Sequence, residues 1–491
     1  MTTGSSRDLT DRQARWALVG LIFLSTVGFS VLAWARNSSF ANYGQDTAQF
    51  AYAFFQTLRG HWLHSFAGDY TLWGAHPNFL LLLWLPVFWL APSVNTLFVV
   101  QSLTISLAAW PAYLLVRHVT GNRLTALIGA AALLLFPPIA RVHVAELHDD
   151  PLGLVPLLFA IYFFEKGRFK WFAVFLGVTL LAKETIVLNT VLFSVYALWR
   201  RRSWWWVAFP AAWSIGYFLL VRYVVMPAFG DWWAGQLYSQ TKYFSQWGNG
   251  PGEVLRNMGT HPGAVMGTMF GADRLGYLFK LLLPVGLILP FGSGLWVTAA
   301  PSLGVNLLSN WPFLREFTHW YGMLPGAQLW ASMILALPLW SQQVARWFGG
   351  RDYSRSLCVV VLLLCVAQYN LWLTPSEYRR NPSHAAQVDA IAAVPGGSSV
   401  LCADHILPAF ANRPAINSLV ALNFHHQDLN RVFDYEYIVF DGNYPGLPGE
   451  AQMQQALFKV ISQNPAYQSV FARENVFVFQ RVGVPERTLR W

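Results

Sequence analysis

The sequence predicts a polytopic α-helical membrane protein with about eleven transmembrane helices, additional juxtamembrane helices and a small C-terminal α/β domain. Of the 491 residues, 55% are hydrophobic and only 12% are charged. Soluble globular chains carry about 25% charged residues, so this composition indicates a membrane protein. Apolar runs recur as far as residue 373. Beyond that point Pro, Gly, Asn and Gln become more frequent.

The candidate spans are the apolar runs that approach the roughly 20 residues a helix needs to cross hydrocarbon. The first run follows Arg7, Arg12 and Arg15 and is too long for the core of a signal peptide, so we expect a retained helix. The expected spans are residues 16–35, 95–116, 124–140, 151–165, 170–183, 186–199, 204–226, 273–290, 294–309, 321–341 and 356–373.

The distribution of basic residues predicts that the N-terminus lies in the cytoplasm. With that orientation, nearly all basic clusters fall in cytoplasmic loops: Arg117, Arg123, Lys166, Arg168, Lys170, Arg200, Arg201, Arg202, Arg346, Arg351 and Arg355. The agreement requires that residues 76–92 form a helix lying in, or dipping into, the outer leaflet. The alternative is that this segment spans the membrane and that another span is miscounted.

The net charge of +9 is explained by these short loops. Basic loops anchor a membrane protein against anionic lipid, so the charge does not indicate a nucleic-acid partner. The three cysteines form neither a disulfide framework nor a zinc pattern.

Residues 374–491 are expected to form an extracytoplasmic α/β domain beside the membrane domain of residues 1–373. Short β-branched runs at 399–402, 437–441 and 476–481 predict strands, and 451–461 predicts an amphipathic helix. Some polar side chains of this domain could be ligands, but without metal-like spacing they are more simply turn and surface residues. They are Asp404, His405, His425, His426 and Asp441.

The polar loop that follows the first span contains the main catalytic candidate, Asp46. The loop also holds His61, His64, Asp69 and His76. Aromatic residues at 50, 52, 54 and 55 predict an interfacial helix, which places Asp46 near a helix N-terminus that stabilises a carboxylate. The alternative is that Asp46 or Thr47 merely caps this helix.

A second acidic site, formed by His148, Asp149 and Asp150, directly precedes Pro151 at the start of a span. Adjacent carboxylates at a membrane mouth can hold a divalent cation or orient a hydroxyl group. Because proline favours the first helical turn, Asp150 could alternatively be a plain cap.

Two further groups could contact a phosphate at the outer face, and one aromatic segment could cover the site. Lys183 lies beside Glu184 in an apolar stretch, where the two could instead form a mutually compensating pair. Arg315, with His319 and Tyr321 nearby, could bind phosphate or anchor the chain at the interface. The aromatic segment 230–247 predicts an interfacial helix that either anchors the chain or covers a cavity.

Six stretches carry a resemblance that extends over nearly the whole chain. They are GQDTAQFAYAF at 44–54, HPNFLLLLWLPVFWLAP at 76–92, TLFVVQSLTISLAAWPAYLLVR at 96–117, ELHDDPLGLVPLLFAIY at 146–162, LLAKETIVL at 180–188 and FTHWYGMLPG at 317–326. The C-terminal stretches SVLCADHILPAFANRPAI and YEYIVFDG match as well. The sequence resembles an uncharacterised family of predicted bacterial membrane proteins related to the GT-C glycosyltransferase superfamily.

The resemblance implies a multi-pass protein of the bacterial cytoplasmic membrane that uses polyprenyl-phosphate sugars. The superfamily places an acidic residue in the first outer loop and a second acidic site in the next, positions that Asp46 and Asp149 or Asp150 match. Where other members often carry an acidic pair, this chain has Gln45 and Asp46. Metal dependence is therefore open, with Mg²⁺ or Mn²⁺ as the candidate ion and Asp46, Asp149 and Asp150 as its ligands.

The implied reaction is inverting transfer of a sugar to a glycan, lipid or protein acceptor, with Asp46 as the base. The substrate-binding residues would be His76, His148, Asp149, Asp150, Lys183, Glu184, Arg315 and His319, among which Lys183, Arg315 and His319 would stabilise the departing phosphate. The alternative is a transporter, flippase or assembly scaffold for lipid-linked sugars, although no inverted repeat supports transport. A third possibility is that the membrane part only anchors a binding domain.

Overall fold

The computed structural model describes residues 8–230, 243–424, 429–444 and 450–483. In these residues, four helices are long and apolar enough to cross a membrane by length and composition. These are Asp11–Ser38, Val94–Thr120, Trp204–Ala228 and Met323–Phe348. The pair Arg123–Leu135 and Pro137–Val144 makes a fifth if it counts as one bent span.

Shorter helical segments fill the space between the long helices. The apolar ones are Phe79–Leu90, Phe169–Leu180, Glu184–Trp199, Gly294–Leu308 and Ser354–Ala367. The others include Gln45–Leu58, Leu72–Ala75, Asp150–Gly153, Leu154–Glu165, Pro251–Thr260, Pro262–Met269, Ala272–Leu282, Leu283–Val285, Leu289–Gly292, Pro312–Arg315, Tyr369–Leu371 and Pro375–Tyr378. The predicted apolar runs correspond to helical segments, whereas the expected number of spans and the orientation stay predictions.

Proline bends one of the predicted spans, and the run 76–92 is irregular. The expected span 124–140 bends by 56° between Leu135 and Pro137. Pro137 and Pro138 lack an N–H donor, and Phe136 is extended as a residue before proline tends to be. The run 76–92 contains only a 3₁₀ turn, Phe79–Leu83, and a six-residue helix, Leu85–Leu90. At about 1.5 Å per residue, this segment is too short to cross the hydrocarbon alone.

The core of the membrane part is built around the helix Met323–Phe348. In the most apolar 18-residue stretch of this helix, 78% of the residues are buried, and Trp330 is completely enclosed. In the corresponding stretch of the first helix, Asp11–Ser38, only 17% of the residues are buried. Its exposed side chains include Trp16, Phe23 and Leu24, which suits a surface that faces lipid tails. The first helix therefore lies at the periphery of the bundle.

The C-terminal part contains a five-stranded sheet in the order β2-β1-β3-β5-β4. The strands are β1 (Val400–Cys402), β2 (Ile416–Ser418), β3 (Tyr437–Asp441), β4 (Tyr467–Arg473) and β5 (Val476–Arg481). β1 pairs in parallel with β2 and β3, and β5 pairs antiparallel with β3 and β4. The helical segments are His384–Ala393, Asp404–Phe410, Leu419–Phe424, Leu429–Asp434 and Glu450–Gln463. This small sheet agrees with the predicted C-terminal strands, whereas the domain boundary at residue 374 stays a prediction.

The C-terminal part docks on the helix Gln45–Leu58, which we call the loop helix. The Tyr52 hydroxyl donates to the Pro414 carbonyl oxygen at 2.9 Å, and the Arg59 guanidinium donates to the carbonyl oxygen of Arg413 at 3.2 Å. At the other end of the loop helix, Gly44 touches the backbone of Asp404. The loop helix is therefore held along its length by the C-terminal part.

A buried ion cluster joins the first helix, the bent helix and the chain that enters the C-terminal part. Glu377 lies 2.7 Å from the Arg36 guanidinium and 2.9 Å from that of Arg141. The two arginine side chains are 6% and 1% exposed. A partly exposed carboxylate between two buried guanidinium groups ties these segments together, because its removal would leave two buried positive charges side by side.

Candidate functional site

Asp46 lies in the first turn of the loop helix, as the sequence predicts. The helix follows Gly44, whose φ of 88° is left-handed. Glu146 caps the helix from the next loop: its Oε2 accepts the backbone N–H of Asp46 at 2.8 Å and that of Thr47 at 3.1 Å. The Thr47 hydroxyl in turn accepts the Leu147 N–H at 3.2 Å. The alternative in which Asp46 or Thr47 merely caps the helix is therefore wrong.

The second acidic site forms a compact cluster around Lys183. The Lys183 ammonium lies 3.0 Å from Asp149 Oδ1 and 3.0 Å from Asp150 Oδ2. His148 Nδ1 lies 3.0 Å and 2.6 Å from the same two carboxylates. The Asp150 carboxylate thus binds a lysine and a histidine, so the plain-cap alternative for Asp150 is wrong.

Lys183 and Glu184 do not compensate each other as a closed pair. Lys183 contacts the second acidic site, whereas Glu184 Oε1 lies 2.8 Å from His76 Nδ1. Glu184 is fully buried and His76 is partly exposed. Each residue therefore connects the turn at 181–184 to a different polar loop, and the alternative of a mutually compensating pair is wrong.

The charges around Asp46 give the carboxylates opposite protonation tendencies. Burial raises the pKa of the Asp46 carboxyl, and the charges of His148 and Lys183 only partly offset this effect. Burial alone would also raise the pKa of Asp149, but Lys183 and His148 hold it well below its ordinary value. Carboxylates whose pKa values are pushed apart can divide the roles of proton acceptor and fixed charge.

Glu146 accepts the Asp46 backbone N–H and is affected by the Asp46 charge. Burial and the charge of Asp46 raise the pKa of Glu146 to about 7. The side chain of Glu146 is 7% exposed, whereas Asp46 is partly exposed. Asp46 is thus the more exposed member of this pair.

An aromatic wall covers the histidine side of the cluster. The ring of Trp320 stacks on His148 with centroids 3.5 Å apart, and Tyr43 stacks near His319 at 6.0 Å. Burial and the charge of Arg141 lower the pKa of His319 to about 4. His319 is therefore neutral near pH 7, and it could meet a phosphate as a hydrogen-bond donor but not as a cation.

Arg315 is used elsewhere in the described structure. Its Nη1 donates to the carbonyl oxygens of Asn306 at 3.0 Å and Ser309 at 2.8 Å, and its Nε lies 3.3 Å from Asp273. In the described ranges, none of its hydrogen bonds reaches the carboxylates of Asp46, Asp149 or Asp150. The structure places Arg315 in a separate ionic cluster with Asp273, apart from the predicted site residues that surround Lys183.

The donor set His148, Asp149 and Asp150 could hold a divalent cation. One ligand atom from each residue lies within 4.8 Å of the others, and carboxylate oxygens suit Mg²⁺ or Mn²⁺. Asp46 does not belong to this group. The Lys183 ammonium already lies between the two carboxylates, so a metal ion would have to displace it.

Sequence reasoning missed Glu146, Gln101 and Trp320. Gln101 accepts the His148 backbone N–H at 2.9 Å and donates to the Val142 carbonyl oxygen at 3.0 Å. Glu146 stands two residues before His148, a proximity that could have drawn attention to it. His425, His426 and residues 231–242 of the aromatic segment lie outside the described residues, so the interpretations placed on them stay predictions.

Comparisons with known proteins agree with this architecture. Residues 39–478 match the family model described as predicted membrane protein (DUF2079), and no curated protein matches. The crystal structure of ArnT from Cupriavidus metallidurans bound to undecaprenyl phosphate has a TM-score of 0.56 and 14% identity, and the match covers 94% of this chain and 98% of that one. The apo structure of the same protein gives a TM-score of 0.52 and 13% identity over 92% and 97% of the two chains. At these identities, the likeness concerns the fold alone.

Proposed function

Because the chain belongs to the DUF2079 family of predicted membrane proteins and has an ArnT-like GT-C fold, we propose that it is a membrane glycosyltransferase. The proposed reaction moves a sugar from a polyprenyl-phosphate donor to an acceptor at the outer face of the cytoplasmic membrane. The similar structure of ArnT holds undecaprenyl phosphate, which supports a polyprenyl carrier as the donor here.

The observation that carries this proposal is the position of Asp46. It stands at the N-terminus of the loop helix, partly exposed, beside a fixed cluster of two carboxylates, a histidine and a lysine. Its pKa is raised by burial, and a general base works best when its pKa approaches the working pH. This arrangement suits removal of a proton from an acceptor hydroxyl.

In the proposed step, the acceptor oxygen attacks the anomeric carbon as Asp46 takes the hydroxyl proton. A new C–O bond forms to the acceptor, and the bond from the anomeric carbon to the phosphate oxygen breaks. The electron pair leaves with the polyprenyl phosphate. A single displacement with one base inverts the anomeric configuration.

Lys183 is the cation we assign to the leaving phosphate. Two of the three donors of its ammonium group are used by Asp149 and Asp150, which leaves one for a phosphate oxygen. The two carboxylates keep the ammonium charged and oriented, so it does not reorganise as charge develops on the phosphate. His76 and Glu184 hold the adjacent turn in place.

A divalent cation would be held by His148, Asp149 and Asp150 and would supply further positive charge beside the phosphate. Lys183 lies between those carboxylates and would have to move for the ion to bind.

The experiment is sugar transfer by the purified full-length chain in nanodiscs, with a panel of radiolabelled undecaprenyl-phosphate sugars and extracted membrane acceptors. We expect Asp46→Asn to lower kcat by about 10²- to 10⁴-fold, the range of general-base catalysis. Asp69→Asn, an exposed aspartate of the same loop, should leave transfer unchanged. Full transfer by the Asp46 variant would remove the base assignment, and movement of the donor across vesicles without consumption would favour the transporter alternative.

A further inference from the structure

A separate cleft of about 520 Å³ lies where the C-terminal sheet meets the end of the first helix. Its wall is formed by Phe40, the chain from Asn381 to Gln387, and the ends of β3, β4 and β5. It shares no lining residue with the Asp46 cluster. A volume of this size is typical of pockets for small molecules.

The rim of the cleft is rich in neutral polar groups. Asn381, Asn443 and Asn475 line it together with Glu474 and Ser383. An amide side chain both donates and accepts hydrogen bonds, as a ligand hydroxyl does. Among the described residues that line the cleft there is no lysine or arginine, so the site is not built for a phosphate or another anion.

Aromatic rings form the inner wall. Tyr444 stacks on His405 with centroids 3.9 Å apart, and Phe40 meets the same imidazole edge-on at 6.4 Å. Aromatic faces offer apolar contact at low entropic cost. A pyranose ring has apolar C–H faces and an edge of hydroxyl groups. The aromatic rings of the cleft suit the C–H faces, and the neighbouring amides suit the hydroxyl groups.

The floor of the cleft is rigid. His405 Nε2 lies 2.9 Å from Asp441 Oδ2, and the Gln387 amide donates to the same oxygen at 2.6 Å. The His405 and Asp441 side chains are 1% and 0% exposed. This fully enclosed histidine–aspartate pair holds the ring of His405 in place. The Tyr444 ring that stacks on His405 is therefore preorganised for a ligand.

A hairpin turn forms part of the same rim. Glu474 and Asn475 join β4 to β5 with φ values of 50° and 62°, the left-handed pair that a two-residue β-hairpin turn requires. The Asn443 amide donates to the Glu474 carbonyl oxygen at 2.5 Å and helps to hold this turn. The polar side chains of this rim are therefore carried by a tight, hydrogen-bonded turn.

The cleft is connected to the Asp46 site through the backbone. His405 follows Asp404, whose carbonyl oxygen would lie 2.1 Å from a Cβ atom built on Gly44. Gly44 precedes the loop helix that carries Asp46, and Phe40 of the cleft lies four residues before Gly44 in the sequence. A ligand in the cleft is therefore held beside the segment that positions the base.

We propose that this cleft is a saccharide-binding site that holds a neutral sugar unit of the acceptor glycan. The assignment of the bound sugar to the acceptor rests on the proposed transferase function. The binding of a saccharide in the cleft does not depend on that function.

The test measures binding without any donor. Saturation-transfer NMR on the full chain in nanodiscs would use methyl pyranosides of glucose, galactose, mannose and N-acetylglucosamine as probes. We expect at least one to bind, and Tyr444→Ala to weaken it by about tenfold, since loss of an aromatic contact is worth roughly 1.4 kcal/mol. Glu474→Gln keeps the shape of the rim and should change the ranking of the probes. Tyr369→Ala removes an exposed tyrosine that does not line the cleft and should leave binding unchanged.

The failures of the two proposals can be told apart. If none of the probes binds, if Tyr444→Ala binds them as tightly as wild type does, or if Tyr369→Ala weakens binding as much as Tyr444→Ala does, the cleft is not a saccharide site. Asp46→Asn should keep saccharide binding and lose transfer, and Tyr444→Ala should raise the KM for acceptor more than it lowers kcat. If the wild-type protein binds saccharide at the cleft but transfers no sugar, the enzyme assignment is overturned and the saccharide site is retained.

Discussion

Glu146 shows how a single buried carboxyl can make this protein sensitive to pH. Its pKa is raised to about 7 by burial and by the charge of Asp46. A group whose folded-state pKa exceeds its unfolded value stabilises the fold below the unfolded pKa and loses that contribution as pH rises through the folded pKa. We therefore expect the melting temperature to decrease as the pH rises from about 5 to about 8, and the free energy of unfolding to decrease by roughly 3 kcal/mol at most.

Thermal unfolding in detergent at a series of pH values measures this effect. Glu146→Gln keeps an oxygen that can accept the Asp46 and Thr47 N–H groups but removes the titration, so its profile should be flatter. Glu316→Gln changes an exposed glutamate and should retain the wild-type slope. Equal slopes for wild type and the Glu146 variant would contradict the prediction.

Lys183 determines how the second acidic site responds to metal ions. Its ammonium lies between Asp149 and Asp150, so a cation must compete with it. Lys183→Met should lower stability by about 3–5 kcal/mol, because the two carboxylates lose their buried partner. We expect Mn²⁺ to restore much of this loss and to stabilise wild type less, as measured by the shift in melting temperature.

A double variant provides the control for the metal response. Adding Asp150→Asn to Lys183→Met removes one ligand, and the stabilisation by Mn²⁺ should disappear. If Mn²⁺ raises the melting temperature of wild type and of Lys183→Met to the same extent, Lys183 does not occupy the position of the metal ion.

At the scale of elements, the start of the loop helix depends on Gly44. Gly44 and Gly60 have similar left-handed φ values, 88° and 91°, so alanine strains the backbone at both by about 1 kcal/mol. A Cβ atom at Gly44 would also meet the Asp404 carbonyl at 2.1 Å, whereas one at Gly60 meets nothing within 4 Å. Gly44→Ala should therefore loosen the C-terminal part, and Gly60→Ala should not.

Limited proteolysis of the C-terminal part, together with the melting temperature, distinguishes these two variants. We expect faster cleavage only in Gly44→Ala. The same cleavage rate in both variants would mean that the contact with Asp404 contributes nothing to docking.

The elements that could be predicted are those whose apolar pattern is continuous. Residues 16–35 lie within the helix Asp11–Ser38, and the apolar run 437–441 is β3. β4 escaped prediction because it is largely exposed and has no alternating apolar face. Site contacts were harder still: Lys183 lies more than 30 residues from Asp149 along the chain, and only folding brings them together. Sequence spacing identified the carboxylates but could not assign their partners.

At the scale of the whole molecule, the orientation of the chain can be tested by cysteine labelling. The native cysteines Cys358, Cys365 and Cys402 are buried, so they give little background. His61→Cys and Glu474→Cys should react with an impermeant maleimide in intact cells, and Lys166→Cys only after permeabilisation. All three positions are exposed. Labelling of positions 61 and 474 from opposite sides would contradict the proposed arrangement.

The ion cluster of Arg36, Arg141 and Glu377 has a consequence for biosynthesis. Glu377 follows Arg36 by 341 residues and Arg141 by 236, so the ribosome delivers the two cations long before their shared anion. Until the helix Ser354–Ala367 has been translated, the cluster cannot close. A nascent chain that stops before Glu377 has both guanidinium groups but not the carboxylate that joins them, so we expect its first helix and bent helix to be held together less firmly.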